Sequence, residues 1–280
     1  MAEELDLIDE QKIATSVASK AIEALIKIVD RPIRERWAKH KNKTTKEFSR
    51  YIEKKLLYCR KIRNYIHDTR TVDIQDIYVD VGLSQPRGHT MTEEFMKRVF
   101  EKVELEINGL PIDSRDSRVS ILLGTAGTGK SLFLKNLFSE LVRFRPDKIP
   151  MLLELRGLNR KKTKPIAETL LDELQSYGAD VSLDQVVDGL RAGMFVVMLD
   201  GFDELKPILQ EHYWDDFLEL SKKYERCPII LTGRPANVLK TTPGHDVYRM
   251  RVFELEHVLE LVSNLELDEE IKDQFSRLIE

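Results

Sequence analysis

Gly124-Thr125-Ala126-Gly127-Thr128-Gly129-Lys130-Ser131 reads G-x-x-x-x-G-K-[ST], the pattern of a phosphate-binding loop. Its flanks give it a context. Val119-Ser120-Ile121-Leu122-Leu123 ahead of it is short, apolar and partly β-branched, as in a buried strand. Leu132 to Val142 after it has helical spacing. A strand, a glycine turn and a helix N-terminus together suit a triphosphate. The glycines let backbone N–H groups curl around anionic oxygens. Lys130 is placed to reach the β- and γ-phosphates, and Ser131 to ligate Mg²⁺.

Moving outward, strands and helices alternate from residue 117 onward. Ile149 to Leu155, Met194 to Leu199, Pro228 to Thr232 and Val247 to Phe253 read as further strands. Ile166–Tyr177, Leu183–Arg191, Ile208–Tyr224 and Leu255–Leu265 read as helices between and after them. This alternation predicts an α/β fold, a parallel sheet covered by helices on both faces.

A phosphate loop needs a carboxylate partner for Mg²⁺. The apolar strand ending at Leu199 delivers Asp200-Gly201-Phe202-Asp203-Glu204 at its C-terminal edge, where open parallel sheets bind ligands. Asp200 is placed to hold Mg²⁺ through water, and Asp203 or Glu204 to orient or deprotonate an attacking water. The two later acids also stand ahead of a helix, whose dipole they would stabilise in any case. The next strand ends in Thr232-Gly233-Arg234-Pro235, and the planar fork of Arg234 suits a γ-phosphate.

These three stretches resemble the NACHT group of STAND P-loop NTPases. A small residue directly after the first acid, then paired acids two places on, marks that group; Gly201, Asp203 and Glu204 fit it. Ile149 to Arg156 resembles the family's second strand. Asp76-Ile77-Tyr78-Val79 resembles its upstream segment, which lies by the nucleotide base, so Tyr78 is a candidate base contact. Thr232-Gly233-Arg234-Pro235 departs mildly from the common Thr-Ser-Arg-Pro but keeps the arginine. The resemblance implies the sheet order 5-1-4-3-2, ATP and ADP with Mg²⁺ as ligands, and slow hydrolysis. It also implies a signalling switch, in animal innate immunity or bacterial anti-phage defence, that self-associates when ATP replaces ADP. Such proteins continue into a helical domain and a winged-helix domain carrying a phosphate-contacting histidine. This sequence ends at Glu280, which predicts a truncated or short member, and His212, His245 and His257 do not stand where they could supply that histidine. No N-K-x-D guanine motif follows the loop, since Asn42-Lys43 precedes it, so adenine is expected.

Residues 1–70 predict an α-helical N-terminal domain. Ile13, Val17, Ala21, Leu25 and Ile28 form a helical stripe broken at Asp30-Arg31-Pro32. A second helix is expected over Ile33–Lys39 and a third over Thr45–Ile66, with no strand. Residues 71–116 are expected to be a linker, with an extended strand or hook over Val72–Val81, a loop over Gly82–Gly88, and a helix over Thr92–Val103 capped by Thr90 or Thr92. Asn108–Arg118 reads as a polar connector. Residues 117–265 would be the NTPase domain and 266–280 the start of a following helical domain.

The chain of 280 residues has a net charge of −4, so it has no bulk attraction to nucleic acid or anionic lipid. The segment Arg31–Arg63 is the exception, with thirteen Lys/Arg against three Asp/Glu, and Trp37, Tyr51 and Tyr58 interleaved. It could bind nucleic acid or a membrane surface, or be the solvated face of two helices. Cys59 and Cys227 stand far apart and imply neither a disulfide framework nor a zinc site. No signal segment or membrane span is evident, so a cytoplasmic protein is expected. Two other classes stay open: an ATP-driven remodeller of the AAA+ type, and a helical interaction module with a vestigial phosphate loop.

Overall fold

The computed structural model describes residues 2–28, 31–63, 71–85, 88–96, 119–145, 147–235, 245–265, 267 and 272. The expected helix beyond residue 96, the connector 108–118 and nearly all of 266–280 lie outside the described residues.

The centre is a seven-stranded sheet. Five strands are parallel: β5 (Val119–Leu123), β6 (Ile149–Glu154), β7 (Phe195–Asp200), β8 (Ile229–Gly233) and β9 (Asp246–Met250). They lie in the order β9-β5-β8-β7-β6, which numbered from the phosphate-loop strand is 5-1-4-3-2, as expected. The strands β5 and β8 are buried along their whole length, which explains their nearly unbroken apolar sequences.

The sheet also gains two strands that the sequence reading places in a loop. β3 (Leu83–Gln85) and β4 (Gly88–Thr90) form a hairpin, and β3 runs antiparallel to β9. Three-residue strands at an edge carry too little alternation to stand out. Ahead of them, the expected strand over Val72–Val81 is mostly not one. Only β2 (Thr71–Asp73) pairs as a strand, and Asp73 then caps a helical turn, α3 (Ile74–Ile77), by accepting from Gln75 N at 2.9 Å, after which Tyr78 is extended again. A carboxylate cap overrides the β-propensity of the residues that follow. Helical residues 92–96 form α4, and Thr92 lies inside that helix rather than capping it. Asp80 takes the capping part, accepting from Thr92 N at 3.0 Å and Thr92 Oγ1 at 2.7 Å.

At the N-terminus, α1 (Ala2–Ile28) ends just before the predicted break. Its buried stripe is Ala14, Val17, Ala18, Ala21, Ile22 and Leu25, whereas Ile13 faces outward. The predicted second and third helices are one, α2 (Arg31–Arg60). The polar stretch between them has no Gly or Pro, and polar residues cost a helix only tenths of a kcal/mol each (about 0.5). Ile62, predicted helical, lies in β1 (Lys61–Arg63), which pairs antiparallel with β2.

The helix α2 packs on α5 (Lys130–Phe144), the helix after the phosphate loop. Its aromatic side chains face inward: Phe48 meets Phe195 of β7 at 5.8 Å, and Tyr51 meets Phe138 of α5 at 6.3 Å. The N-terminal helices and the sheet therefore share one hydrophobic core. This changes the reading of the basic segment. Trp37 is 2% exposed and Tyr51 is buried, so neither can stack on a base. Lys41 pairs with Glu23, Lys43 with Asp180, Arg50 with Glu47, Lys55 with Glu173, and Arg60 with Glu10 and Asp73. Much of the positive charge is thus neutralised within the fold.

On the sheet, α6 (Ile166–Ser176) starts after Pro165, with Asp216 accepting from Ile166 N. A capping box of Ser182 and Gln185 opens α7 (Leu183–Arg191). Then come α8 (Pro207–Lys223) and α9 (Leu255–Asn264). Tyr213 is buried in α8, and Trp214 stacks on Phe217 at 5.3 Å, so both pack the core.

Candidate nucleotide site

The loop from Gly124 to Ser131 joins β5 to α5 at the C-terminal edge of the sheet. Gly124 N donates to Gly233 O at 3.1 Å, which ties the loop to the end of β8. Thr128 Oγ1 donates to Thr125 O at 2.9 Å and closes the loop on itself. Thr125, Ala126 and Gly127 are exposed at its rim. Gly129, the N-cap of α5, has φ +83°, and no side chain caps the helix. The first N–H groups of α5 are therefore left for an anion. Lys130 Nζ donates to Gly124 O at 2.7 Å and Thr125 O at 2.9 Å. Its ammonium bonds only to main-chain carbonyls among the described residues and folds over the cradle. Ser131 follows at the first turn, exposed.

The acids sit at the end of β7 and in the 3₁₀ turn Phe202–Glu204. Thr232 Oγ1 donates to Asp200 Oδ1 at 2.7 Å and accepts from Gly201 N at 2.9 Å. One hydroxyl thus fixes both the carboxylate and the turn behind it. Asp203 Oδ1 accepts from Arg234 N at 3.1 Å, and its Oδ2 pairs with Arg234 Nε at 2.8 Å. Glu204 is held more loosely, 3.8 Å from Arg156 Nε. Asn159 clamps the turn, donating to Glu204 O at 2.7 Å and accepting from Lys206 N at 2.8 Å.

The fields of these groups meet at Lys130. Burial pulls its pKa below the usual value, Asp203, Asp200 and Glu204 oppose that, and Arg234 adds to it. The predicted lysine, three acids and arginine therefore converge on one place. Tyr78 stands farther along, at the C-cap of α3. Burial pushes its phenol up, and its hydroxyl faces Thr92 and Asn136, the latter on α5. The sequence reading assigned no part to Thr232, Asn159 or the Arg156–Glu204 pair. A polar residue ending an otherwise apolar strand was the one available signal, for Thr232.

The residues fit a nucleotide and its metal. A Cβ on Gly124 would come within 2.4 Å of Thr128 Oγ1, so the cradle closes only around glycine. A hydroxyl and a carboxylate, Ser131 and Asp200, are hard oxygen donors. Mg²⁺ takes one or two such ligands plus phosphates and water. Among the described residues there is no group of three or more His, Cys, Asp or Glu that could hold a metal. His212 packs against Tyr213, His245 against Phe217, and His257 accepts from Glu254 N, contacts made outside the loop. A cavity of about 260 Å³ lies elsewhere, between α2 and the start of α7, walled by Trp37, Thr44, Asp180 and Gln185. The Gln185–Thr44 and Lys43–Asp180 contacts already bridge it, so it is a packing gap.

Thr232→Val should remove both bonds of that hydroxyl. The expected loss is about 1–3 kcal/mol of unfolding free energy, because Gly201 N–H is left buried and unpaired. A lower denaturant midpoint at unchanged slope would register it.

Compared with known protein families, residues 118–268 match the NACHT domain, more than half of the chain. The chain belongs to the NACHT family. It therefore carries a nucleoside-triphosphatase domain of the STAND type with a P-loop fold. Comparison with curated proteins gives no match. The NACHT match begins one residue before β5 and runs past α9, so it takes in the phosphate loop, the acids and Arg234. The N-terminal helices lie outside it. No helix among the described residues is long and apolar enough to cross a membrane.

Proposed function

We propose that this NACHT protein is an ATP-binding, slowly hydrolysing switch whose nucleotide state controls self-association in innate immunity or anti-phage defence, in the cytoplasm. In this reading residues 117–265 bind nucleotide, 1–70 form the helical partner unit and 71–116 link the two; the further helical unit expected to begin over 266–280 lies almost wholly outside the described residues. The Asp203–Arg234 pair carries the proposal. Arg234 is 61% exposed and points its guanidinium at an acid that is only 19% exposed. A γ-phosphate is a stronger partner for that planar fork than one carboxylate. ATP would draw Arg234 off Asp203, whereas ADP would leave the pair intact. One contact thus reports the presence of the third phosphate.

The other residues follow from their positions. The α5 N-terminus and the loop from Gly124 to Ser131 cradle the β-phosphate. Lys130 exchanges Gly124 O and Thr125 O for phosphate oxygens. Magnesium, held by Ser131 and Asp200, would supply charge neutralisation of the phosphate oxygens. Glu204 is 46% exposed and loosely paired, so it is the better placed of the two acids to orient a water, while Asp203 holds Arg234. Tyr78, by the resemblance, faces the base. Adenine is our assignment.

Arg234→Ala should cut the preference for a slowly hydrolysed ATP analogue over ADP by about tenfold to a hundredfold, the size of a hydrogen bond to a charged group, about 1.5–3 kcal/mol. Titration calorimetry with both nucleotides measures it. A preference unchanged in that variant would remove the γ-phosphate role. Glu204→Gln is expected to keep both affinities in that assay and to lose ATP hydrolysis in a phosphate-release assay, and a variant that hydrolyses normally would return the water to Asp203.

A further inference from the structure

Tyr58 stands where the N-terminal helices meet the edge of the nucleotide site. It lies on α2, and its hydroxyl donates to Oε1 of Glu154. Glu154 ends β6 and registers against Asp200 on the neighbouring parallel strand. Register partners on adjacent strands leave the sheet on the same face, so Glu154 and Asp200 stand side by side at its C-terminal edge. The same Tyr58 ring carries the Lys135 ammonium 4.5 Å from its centroid. Lys135 lies four residues past Ser131 on α5, on the same helix face. One α2 side chain therefore touches the strand end beside Asp200 and the helix turn behind Ser131. Lys55, paired with Glu173 at 2.6 Å and 5.0 Å from the Tyr58 ring, anchors the contact from below. Burial and the Glu154 carboxylate push the phenol up, so it stays a donor.

We propose that Glu154 is a second carboxylate of the metal subsite, acting on magnesium through its water shell, and that Tyr58 of α2 is the positioning residue that holds it beside Asp200. The proposal rests on the assignment of Ser131 and Asp200 to magnesium made above. Magnesium keeps several waters when bound, and groups that orient those waters tune its affinity. The consequence is a physical link from the N-terminal helices to the nucleotide: moving α2 away releases Glu154 and weakens the metal. The family match covers the nucleotide domain, while this contact comes from outside it.

The test is a Mg²⁺ titration of the binding of a fluorescent ATP analogue to the full chain, with EDTA as the metal-free reference. Glu154→Gln is expected to raise the Mg²⁺ concentration for half-maximal tightening by about tenfold, the low end for a group acting beyond the direct ligands. Tyr58→Phe should shift it the same way by a smaller factor, about threefold. Affinity in EDTA should stay at the wild-type value in both. Asp200→Asn is the reference and should shift the midpoint further than either. If Asp200→Asn shifts it while Glu154→Gln and Tyr58→Phe do not, the proposal is overturned and the metal assignment stands. Should Asp200→Asn also leave it unchanged, the metal assignment fails and takes this proposal with it. A loss of EDTA affinity and melting temperature at an unshifted Mg²⁺ midpoint would show a contact that is structural only, and also overturns it.

Discussion

Lys130→Ala should lose nucleotide binding by at least about a hundredfold, because in the proposed site its ammonium is the cation seated in the loop itself, beside the β- and γ-phosphates. The folded protein should barely notice. Lys130 hydrogen-bonds only to the Gly124 and Thr125 carbonyls among the described residues, and it is only half-buried. Its removal relieves a burial that already pulls the ammonium down. The expected signature is a normal melting temperature without nucleotide and no rise when nucleotide is added. Wild type should rise, since a ligand that binds only the folded state at a hundred times its Kd adds about 2.7 kcal/mol. Lys130→Arg should fail in the same way, because a planar fork is a poor substitute for a compact ammonium in a loop this tight. A Lys130→Ala protein that still binds ATP as wild type does would move the phosphates elsewhere.

The second large effect lies near the C-terminal end of α2. Lys55 is 3% exposed, and its ammonium sits 2.6 Å from Glu173 with the Tyr58 and Tyr177 rings each 5.0 Å away. Burial alone would pull this ammonium down, but the Glu173 carboxylate outweighs it and holds the pKa above its usual value. Lys55→Ala leaves Glu173 without its cation in a largely buried place. Breaking such a pair costs about 3–5 kcal/mol. Against a total of about 5–15 kcal/mol for a typical domain, that is a large share. Denaturant unfolding should show it as a lower midpoint. Lys55→Met with Glu173→Leu should recover much of the loss, because replacing both charges with apolar groups removes the stranded one. If Lys55→Ala were near neutral, α2 would not be fastened to α6 by this pair.

The strands β5 to β8 were legible because they are buried nearly throughout and write themselves as short apolar runs. The phosphate loop, Asp200 and Arg234 were legible because glycine spacing and strand ends are local signals. Long-range partnership was not. Nothing along the chain says that Arg234 rests on Asp203, that Asn159 clamps the turn at Glu204, or that Thr232 holds Asp200. Each joins residues about thirty to forty-five positions apart. Helix continuity was missed for a different reason. Between Lys39 and Thr45 the apolar periodicity lapses, because α2 there makes polar contacts such as Gln185 Nε2 to Thr44 Oγ1 at 3.1 Å. The aromatic residues among the basic ones looked available for stacking. Trp37 instead donates to Asp188 Oδ2 at 3.3 Å, and the Tyr51 hydroxyl accepts from Leu152 N at 3.2 Å. Composition shows a basic segment, and only the fold shows where its charges are spent.

The most direct test of the switch is a rapid-quench measurement of ATP hydrolysis with the full chain, run once with protein in excess and once with ATP in excess. A switch should hydrolyse about one ATP per site and then hold its product, with later turnover far below the 1–10³ s⁻¹ of ordinary enzymes. Sustained turnover in that ordinary range, with no stoichiometric first cycle, would contradict it and mark the protein as an ATP-driven machine.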